Sequence, residues 1–242
     1  GETIGAVLDR VAAEFGDRDA LISCHQNLRY TYAQLLDQVN CAARGLLALG
    51  VKRGDRVGIW SANVAEWVIT QYAAAKAGAI LVNINPAYRS RELEYALNQS
   101  GVSVLVTARS FRKTDYLEML LALAPELADA RGASLVLEKL PYLRHLVFLG
   151  DGETPGGRSW QQFMCLGEQV SLSALQEVSD RLQCDDPVDI QYTSGTTGSP
   201  KGATLSHHNI LNNGFFVGEA LRYTVDDRIC TPVPFYHCFG CV

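Results

Sequence analysis

The sequence predicts an α/β fold in which strands and helices alternate, so that a mostly parallel sheet is flanked by helices. Short apolar runs that suit buried strands are separated by segments with apolar residues at helical spacing. Glycines and capping residues stand where the helices should end and begin. A chain of 242 residues with 48% hydrophobic residues can also bury a sizeable core.

The first part of the chain is predicted to contain two helices with a short hairpin between them. Residues 4–15 carry apolar side chains at helical spacing, and a polar turn at 25–27 separates two strand-like runs. Thr31 followed by Gln34 is a capping-box pattern, which predicts a helix that begins there and ends near Gly50.

A repeated strand–helix pattern follows. Strands are predicted at 57–60, 79–84, 102–107, 143–149, 188–192 and 228–235. Asn63 with Glu66 predicts a helix cap, and further helices are predicted at 90–101, 114–123 and within 159–184. Ser206 is predicted to cap a helix that ends near Leu221, with His207 and His208 as surface or capping residues at its start.

Charge and apolar patterning exclude some classes of function. The formal net charge of -5 argues against a general nucleic-acid-binding surface. No run of 18 apolar residues is present, so no membrane span is expected. Seven cysteines are scattered without a regular framework, which predicts reduced thiols in an intracellular compartment.

The most informative stretch is residues 193–202, in which eight of ten residues are Gly, Ser or Thr. Glycines let the backbone approach a ligand, while hydroxyls, N–H groups and a lysine can surround phosphate oxygens. A flexible linker is the alternative, but a linker would not lie between two structured segments. The predicted phosphate-binding residues are Thr193, Ser194, Gly195, Thr196, Thr197, Gly198, Ser199, Pro200 and Lys201.

The loop does not fit the Walker A motif of P-loop proteins. That motif needs Gly directly before Lys and a helix directly after it. Here Pro200 precedes Lys201, Gly202 follows, and an extended run at 203–205 comes before the helix. A P-loop phosphohydrolase, kinase or GTPase is therefore disfavoured, and the loop's own N–H groups and hydroxyls must supply the contacts.

The run from Tyr192 to Gly202 resembles the phosphate-binding signature of adenylate-forming enzymes, which include acyl-CoA synthetases, peptide-synthetase adenylation domains and luciferases. Three more stretches resemble the same superfamily, namely 55–58, 83–93 and 234–240. The resemblance extends from residue 3 to residue 242 and is greatest to medium-chain-type acyl-CoA synthetases of bacteria and mitochondria.

This resemblance implies a two-step reaction with ATP, Mg²⁺, coenzyme A and a small carboxylic acid. The acid would attack the α-phosphate of ATP to give an acyl-adenylate and pyrophosphate, and the thiol of coenzyme A would then displace AMP. The loop at 193–201 would hold the β- and γ-phosphates, with Mg²⁺ neutralising their charge. Tyr236 and His237 would line the acyl pocket. A bacterial cytoplasm, or alternatively a mitochondrial matrix, would suit such an enzyme.

Residues 1–242 are expected to form an incomplete N-terminal, AMP-binding domain. The family's later motifs, including the lysine of its small C-terminal domain, would lie beyond Val242, so no catalytic residue is assigned within this chain. The chain alone is expected not to form acyl-adenylate, and self-association is expected to be a risk for it. A non-catalytic ATP-binding module is the alternative.

No metal ligands are assigned from the sequence. Cys238 and Cys241 have ligand-like spacing, with Cys230 and His237 near them. No second such pair is present and the segment is apolar, so small buried thiols are predicted there instead.

Overall fold

A computed structural model describes residues 1–130, 134–193 and 200–241, and it confirms the α/β prediction. The helices are α1 Ile4–Phe15, α2 Tyr32–Ala48, α3 Ala65–Ala77, α4 Ser90–Ser100, α5 Tyr116–Leu123, α6 Trp160–Glu168, α7 Leu172–Ser179, α8 His207–Leu221 and α9 Cys238–Cys241. The strands are β1 Asp19–Ser23, β2 Leu28–Thr31, β3 Arg56–Trp60, β4 Ile80–Asn83, β5 Val102–Thr107, β6 Ser110–Phe111, β7 Thr114–Asp115, β8 His145–Phe148, β9 Arg158–Ser159, β10 Pro187–Thr193 and β11 Lys201–Ser206.

The central sheet has seven strands in the order β11-β10-β4-β3-β5-β8-β9. Neighbouring strands are parallel except for β10 and β11, which form an antiparallel pair. The carboxyl ends of the parallel strands therefore meet at one edge of the sheet. In open α/β sheets this is the edge at which ligands bind.

Each face of the sheet is covered by helices because both faces of its strands are apolar. On β4, Leu81 packs with α2 and α3 on one side, whereas Val82 packs with α4 and α5 on the other. This alternation follows from the two-residue period of a strand. The sheet is thus buried on both faces, as its continuous apolar runs predict.

Local capping explains most helix boundaries. The predicted capping box of Thr31 and Gln34 starts α2, and Ser206 starts α8 through a similar pair with Asn209. Gly78 ends α3 with φ +74, a conformation that strains residues with a side chain. Among the described residues, no helix combines the length and apolar character needed to cross a membrane.

The predicted cap at Asn63 is wrong. Val64 is the N-cap residue of α3 and makes no side-chain cap bond. The Gln26 side chain accepts a hydrogen bond from Ala65 N at 2.7 Å instead, which satisfies one free donor of the helix start. Asn63 is thereby available for a distant partner near the end of the chain.

The predicted strand at 228–235 is also absent, because this segment pairs with no strand in the part of the chain that the structure describes. Without that pairing the segment lies on the surface. Cys230 and Cys238 are consequently exposed, which contradicts the prediction of buried thiols. The side chain of Cys241 lies outside the described residues.

The prediction that His207 is a surface residue is wrong, whereas His208 is exposed as predicted. His207 is 1% exposed, and its Nδ1 accepts a hydrogen bond from Ile4 N at 3.1 Å. Burial lowers the pKa of His207, against a smaller opposing effect of Asp186. This buried imidazole ties the start of α1 to the start of α8.

Candidate phosphate-binding hairpin and its surroundings

The predicted phosphate-binding loop joins two paired strands at the edge of the sheet. β10 and β11 run antiparallel, and Thr193 pairs with Lys201 at the end of the hairpin. The threonine hydroxyl donates a hydrogen bond to Lys201 O at 3.4 Å, which adds to the closure of the loop base. Six predicted site residues, Ser194 to Ser199, lie outside the described residues, whereas Thr193, Pro200 and Lys201 lie within them.

The base of the loop lies at the ligand-binding edge of the sheet. β10 is parallel to β4, so both strands end at the carboxyl edge, with β3 as the next neighbour. Lys201 is exposed and, among the described residues, has no ion-pair partner. A lysine without a neutralising carboxylate can attract a phosphate group as a point charge.

Two tyrosines fasten this hairpin to α4. The Tyr95 hydroxyl donates to Pro200 O at 3.3 Å, and the Tyr192 hydroxyl donates to Ala96 O at 3.1 Å. The first bond holds the residue directly before Lys201, and the second holds the end of β10. The helix therefore positions both sides of the loop base.

Burial raises the pKa of Tyr192, although a hydrogen bond with Ser100 opposes this effect. The neighbouring phenols of Tyr95 and Tyr88 raise that pKa further. Since the phenol of Tyr192 stays neutral near pH 7, it can donate a hydrogen bond without adding negative charge beside an anion.

Asn63 connects the segment that leads to the predicted pocket residues Tyr236 and His237 to the start of α3. Its Nδ2 donates to Val233 O at 2.8 Å, and its Oδ1 accepts from Phe235 N at 2.8 Å. The Phe235 ring packs against Trp67 with centroids 6.3 Å apart. A polar clamp and an aromatic contact thus hold the segment that leads to the predicted pocket residues.

Tyr236 and His237 occupy different environments. Tyr236 is half-buried against the core that α2 and α3 share. His237 is exposed, and its Nδ1 accepts a hydrogen bond from Phe239 N at 3.3 Å. The imidazole therefore caps the turn that begins α9, and its contact with an acyl group stays a prediction.

Tyr88 interacts with residues of both predicted site segments, which are the phosphate-binding hairpin and the segment that carries Tyr236 and His237. Burial raises the pKa of Tyr88, and the Glu92 carboxylate and the Tyr236 phenol raise it further. Tyr88 also contributes to the raised pKa of Tyr192, beside the phosphate loop. Tyr236 and the hairpin thus both lie around Tyr88, on the turn that follows β4.

This turn is itself held by buried aromatic residues. Trp60 Nε1 donates to Asn85 O at 3.2 Å, and the Tyr116 hydroxyl donates to Pro86 O. The rings of Trp60 and Tyr116 stack with centroids 3.5 Å apart and an interplanar angle of 6°. The turn after β4 is consequently rigid, although the sequence alone gives no sign of this role for Tyr116.

Sequence reasoning missed Tyr88, Tyr95 and Asn63 as organising residues. Tyr88 lies within one of the stretches that carry the family resemblance, which is the only local signal for it. Tyr95 is indistinguishable in sequence from an ordinary helix residue. Asn63 has a convincing local alternative as a helix cap, so its long-range role emerges only from the fold.

This chain spans only part of the known proteins that it resembles. The mitochondrial medium-chain acyl-CoA ligase ACSF2 of Danio rerio is 44% identical over 242 residues, which cover 99% of this chain and 40% of that protein. YngI of Bacillus subtilis is 41% identical over 240 residues, which cover 99% of this chain and 44% of its own length. The chain thus spans less than half the length of these relatives.

A solved structure shares the fold. The anthranilate CoA ligase AuaEII, in complex with anthranoyl-AMP, aligns with a TM-score of 0.66 and 26% identity over 85% of this chain and 35% of that one. The AMP-binding enzyme family matches residues 8–242, which include the hairpin, the tyrosines around it and the Asn63 clamp. This chain therefore belongs to the AMP-binding enzyme family.

Proposed function

We propose that this chain is the N-terminal part of an AMP-forming acyl-CoA ligase, which activates a carboxylic acid with MgATP and transfers the acyl group to coenzyme A. The observation that carries the proposal is the base of the Gly/Ser/Thr loop at the carboxyl edge of the sheet, where Lys201 is exposed and forms no ion pair with any residue that the structure describes. The names of the relatives and the anthranoyl-AMP held by AuaEII support this assignment.

The first step would form a bond between a carboxylate oxygen and the α-phosphorus of ATP. The bond from that phosphorus to the bridging oxygen breaks, and pyrophosphate leaves. In the second step the thiol of coenzyme A attacks the acyl carbonyl, releasing AMP and a proton. Phosphoryl and adenylyl transfers of this kind depend mainly on positioning and on stabilisation of charge.

The residues of this chain would bind and orient the nucleotide in that scheme. Lys201 and the predicted donors of the loop, from Thr193 to Ser199, would contact the β- and γ-phosphates. Mg²⁺ would enter as part of the substrate MgATP, and no described residue is assigned to it. Tyr95 and Tyr192 would keep the loop base in place through their bonds to Pro200 and Ala96.

The acid is proposed to be a medium-chain fatty acid, as the name of the ACSF2 relative suggests. Tyr236 and His237 would contribute to its pocket. A bacterial cytoplasm or a mitochondrial matrix would suit the protein, since relatives come from Bacillus subtilis and from mitochondria.

The test is octanoate-dependent ATP–pyrophosphate exchange by the longest protein that contains this chain. Exchange that is lost when Lys201 is changed to alanine supports the ligase. MgATP binding without any exchange would instead favour the non-catalytic ATP-binding module. The 242-residue chain by itself is expected to give no exchange, and turnover by it at the rate of the longer protein would contradict this expectation.

A further inference from the structure

Three side chains with metal-binding chemistry meet at the end of the β10–β11 hairpin that lies opposite the phosphate loop. A ligand atom from each of Cys184, Asp185 and His208 lies within 4.8 Å of the other two. Cys184 is half-buried, partly by contact with Gly1, whereas Asp185 and His208 are exposed. Thiol, carboxylate and imidazole are three ligand types that zinc accepts.

The backbone holds these residues together independently of any ion. His208 N donates to Cys184 O at 2.8 Å, and His207 N donates to Asp186 O at 3.3 Å. The turn at 183–186 is closed by Asp186 N to Gln183 O at 3.0 Å. The cysteine and the histidine therefore come from two segments that already have a fixed relative position.

Asp186 is not available as a further ligand. Its carboxylate pairs with Arg53 Nη2 at 2.5 Å and accepts a hydrogen bond from Gln183 N at 2.9 Å. This pairing rigidifies the turn that carries Cys184 and Asp185. The adjacent Asp185 carboxylate is left to solvent and to the cluster.

The geometry points to a zinc-type site, and we propose that Cys184, Asp185 and His208 bind one Zn²⁺ ion, with water as the fourth ligand. Bonds of about 2.0–2.3 Å place tetrahedral ligands about 3.4 Å apart, so small side-chain rotations bring the three atoms into range. Binding converts the Cys184 thiol to a thiolate and releases one proton to solvent. The thiolate and the Asp185 carboxylate then balance the charge of the ion.

This site is separate from the nucleotide site. Pro187 pairs with Ser206 at one end of the hairpin, and Thr193 pairs with Lys201 at the other. Six residues of strand span about 20 Å, so the ion does not take part in the chemistry at the loop. It would link the turn before β10 to the start of α8, and thereby stabilise the hairpin at its base.

Little in the sequence indicates such a site. Cys184 and Asp185 are adjacent, but His208 lies on the far side of the hairpin, and the spacing matches no zinc motif. The antiparallel pairing of β10 and β11 is what returns the chain to the same place.

Titration of the reduced 242-residue chain with Co²⁺ tests the proposal, because cobalt bound to a thiolate gives a charge-transfer band that zinc lacks. We expect one equivalent of Co²⁺, a thiolate–cobalt band, and displacement of the cobalt by Zn²⁺. Cys184→Ser should remove the band, whereas His208→Asn and Asp185→Asn should each weaken binding by at least about tenfold. Zn²⁺ should also raise the Tm of the unchanged chain and not that of Cys184→Ser.

Cys165→Ser is the matched control, since Cys165 is an exposed thiol on α6 outside this cluster. It should bind Co²⁺ with unchanged affinity. The absence of a thiolate–cobalt band in the unchanged chain overturns the proposal, and so does a band that persists in Cys184→Ser. Far-ultraviolet circular dichroism of each variant shows whether the fold is retained. The His208→Asn variant removes one proposed ligand and keeps the Cys184 thiol.

Discussion

Substitution of Asn63 by alanine should loosen the segment that carries Tyr236 and His237 without disturbing the sheet. The Asn63 amide makes two hydrogen bonds of 2.8 Å with the backbone of Val233 and Phe235, and 170 residues separate it from the first of these. The alanine variant removes both bonds at once. Because the clamp reaches the segment from the start of α3, no bond within the segment can replace it.

The free energy that Asn63 contributes to closing this segment can be estimated from the number of its hydrogen bonds. Each side-chain bond of this kind contributes about 1 kcal/mol, so the pair stabilises the closed segment by about 2 kcal/mol. Since about 1.4 kcal/mol corresponds to a factor of ten, the opening equilibrium should rise about 30-fold. The amides of His237 and Gly240, which donate to Pro234 O and His237 O, should exchange with deuterium about 30-fold faster.

Hydrogen–deuterium exchange read by mass spectrometry on peptides from 233–240 measures this change. Amides of β3 and β5 should keep their exchange rates, because the opening is local. Asn98→Ala is the matched control, since it removes one bond of 2.8 Å to Lys139 O elsewhere in the fold. Unchanged protection of the 233–240 peptides in the Asn63 variant would refute the clamp.

Three further predictions concern the loop and two buried histidines. Lys201→Ala should weaken MgATP binding about 10- to 100-fold by calorimetry, as expected for one charge-assisted contact, and equal affinity would argue against the phosphate role. Tyr95→Phe should weaken MgATP binding less than about tenfold through loss of the bond to Pro200 O, whereas Tyr142→Phe at an exposed site should have no effect. Burial lowers the pKa of His145 and of His207, so both are neutral in the folded and unfolded chain above about pH 6.5. Below that pH the unfolded chain takes up protons that the folded chain resists. Urea denaturation should therefore show stability falling as the pH drops below about 6.5, with a shallower fall in His207→Gln.

Local signals predict most of this fold because helix ends are local structures. The capping box at Thr31 and the glycine at 78 fix helix boundaries through atoms only a few residues apart. The prediction of a strand at 228–235 is wrong for the complementary reason. Its β-branched and apolar residues suit a strand, but local sequence does not show whether a partner strand is present. The prediction that Asn63 caps α3 is wrong for a similar reason, because a cap pattern and a long-range clamp can share the same local sequence.

The candidate site likewise has one part that local sequence predicts and other parts that depend on the fold. The phosphate-binding role of residues 193–201 is predicted from composition alone, because glycine, hydroxyl residues and lysine are the groups that a phosphate needs, and it stays a prediction. Tyr95 and Tyr88 cannot be found this way, since their roles depend on how α4 and the turn after β4 approach the hairpin. The burial of His207 depends on α1, at the opposite end of the chain, and no pattern near residue 207 reports it.

The sheet order also has a consequence for synthesis on the ribosome. β10 lies directly beside β4, and the buried contact of Asn83 with Asp189 joins residues 106 positions apart. At about 5–20 residues per second, β4 waits about 5–20 s with an unpaired apolar edge before its neighbour emerges. During that interval the nascent chain exposes a strand on which other chains can pair, so slower elongation between these two strands should increase aggregation of the newly made protein.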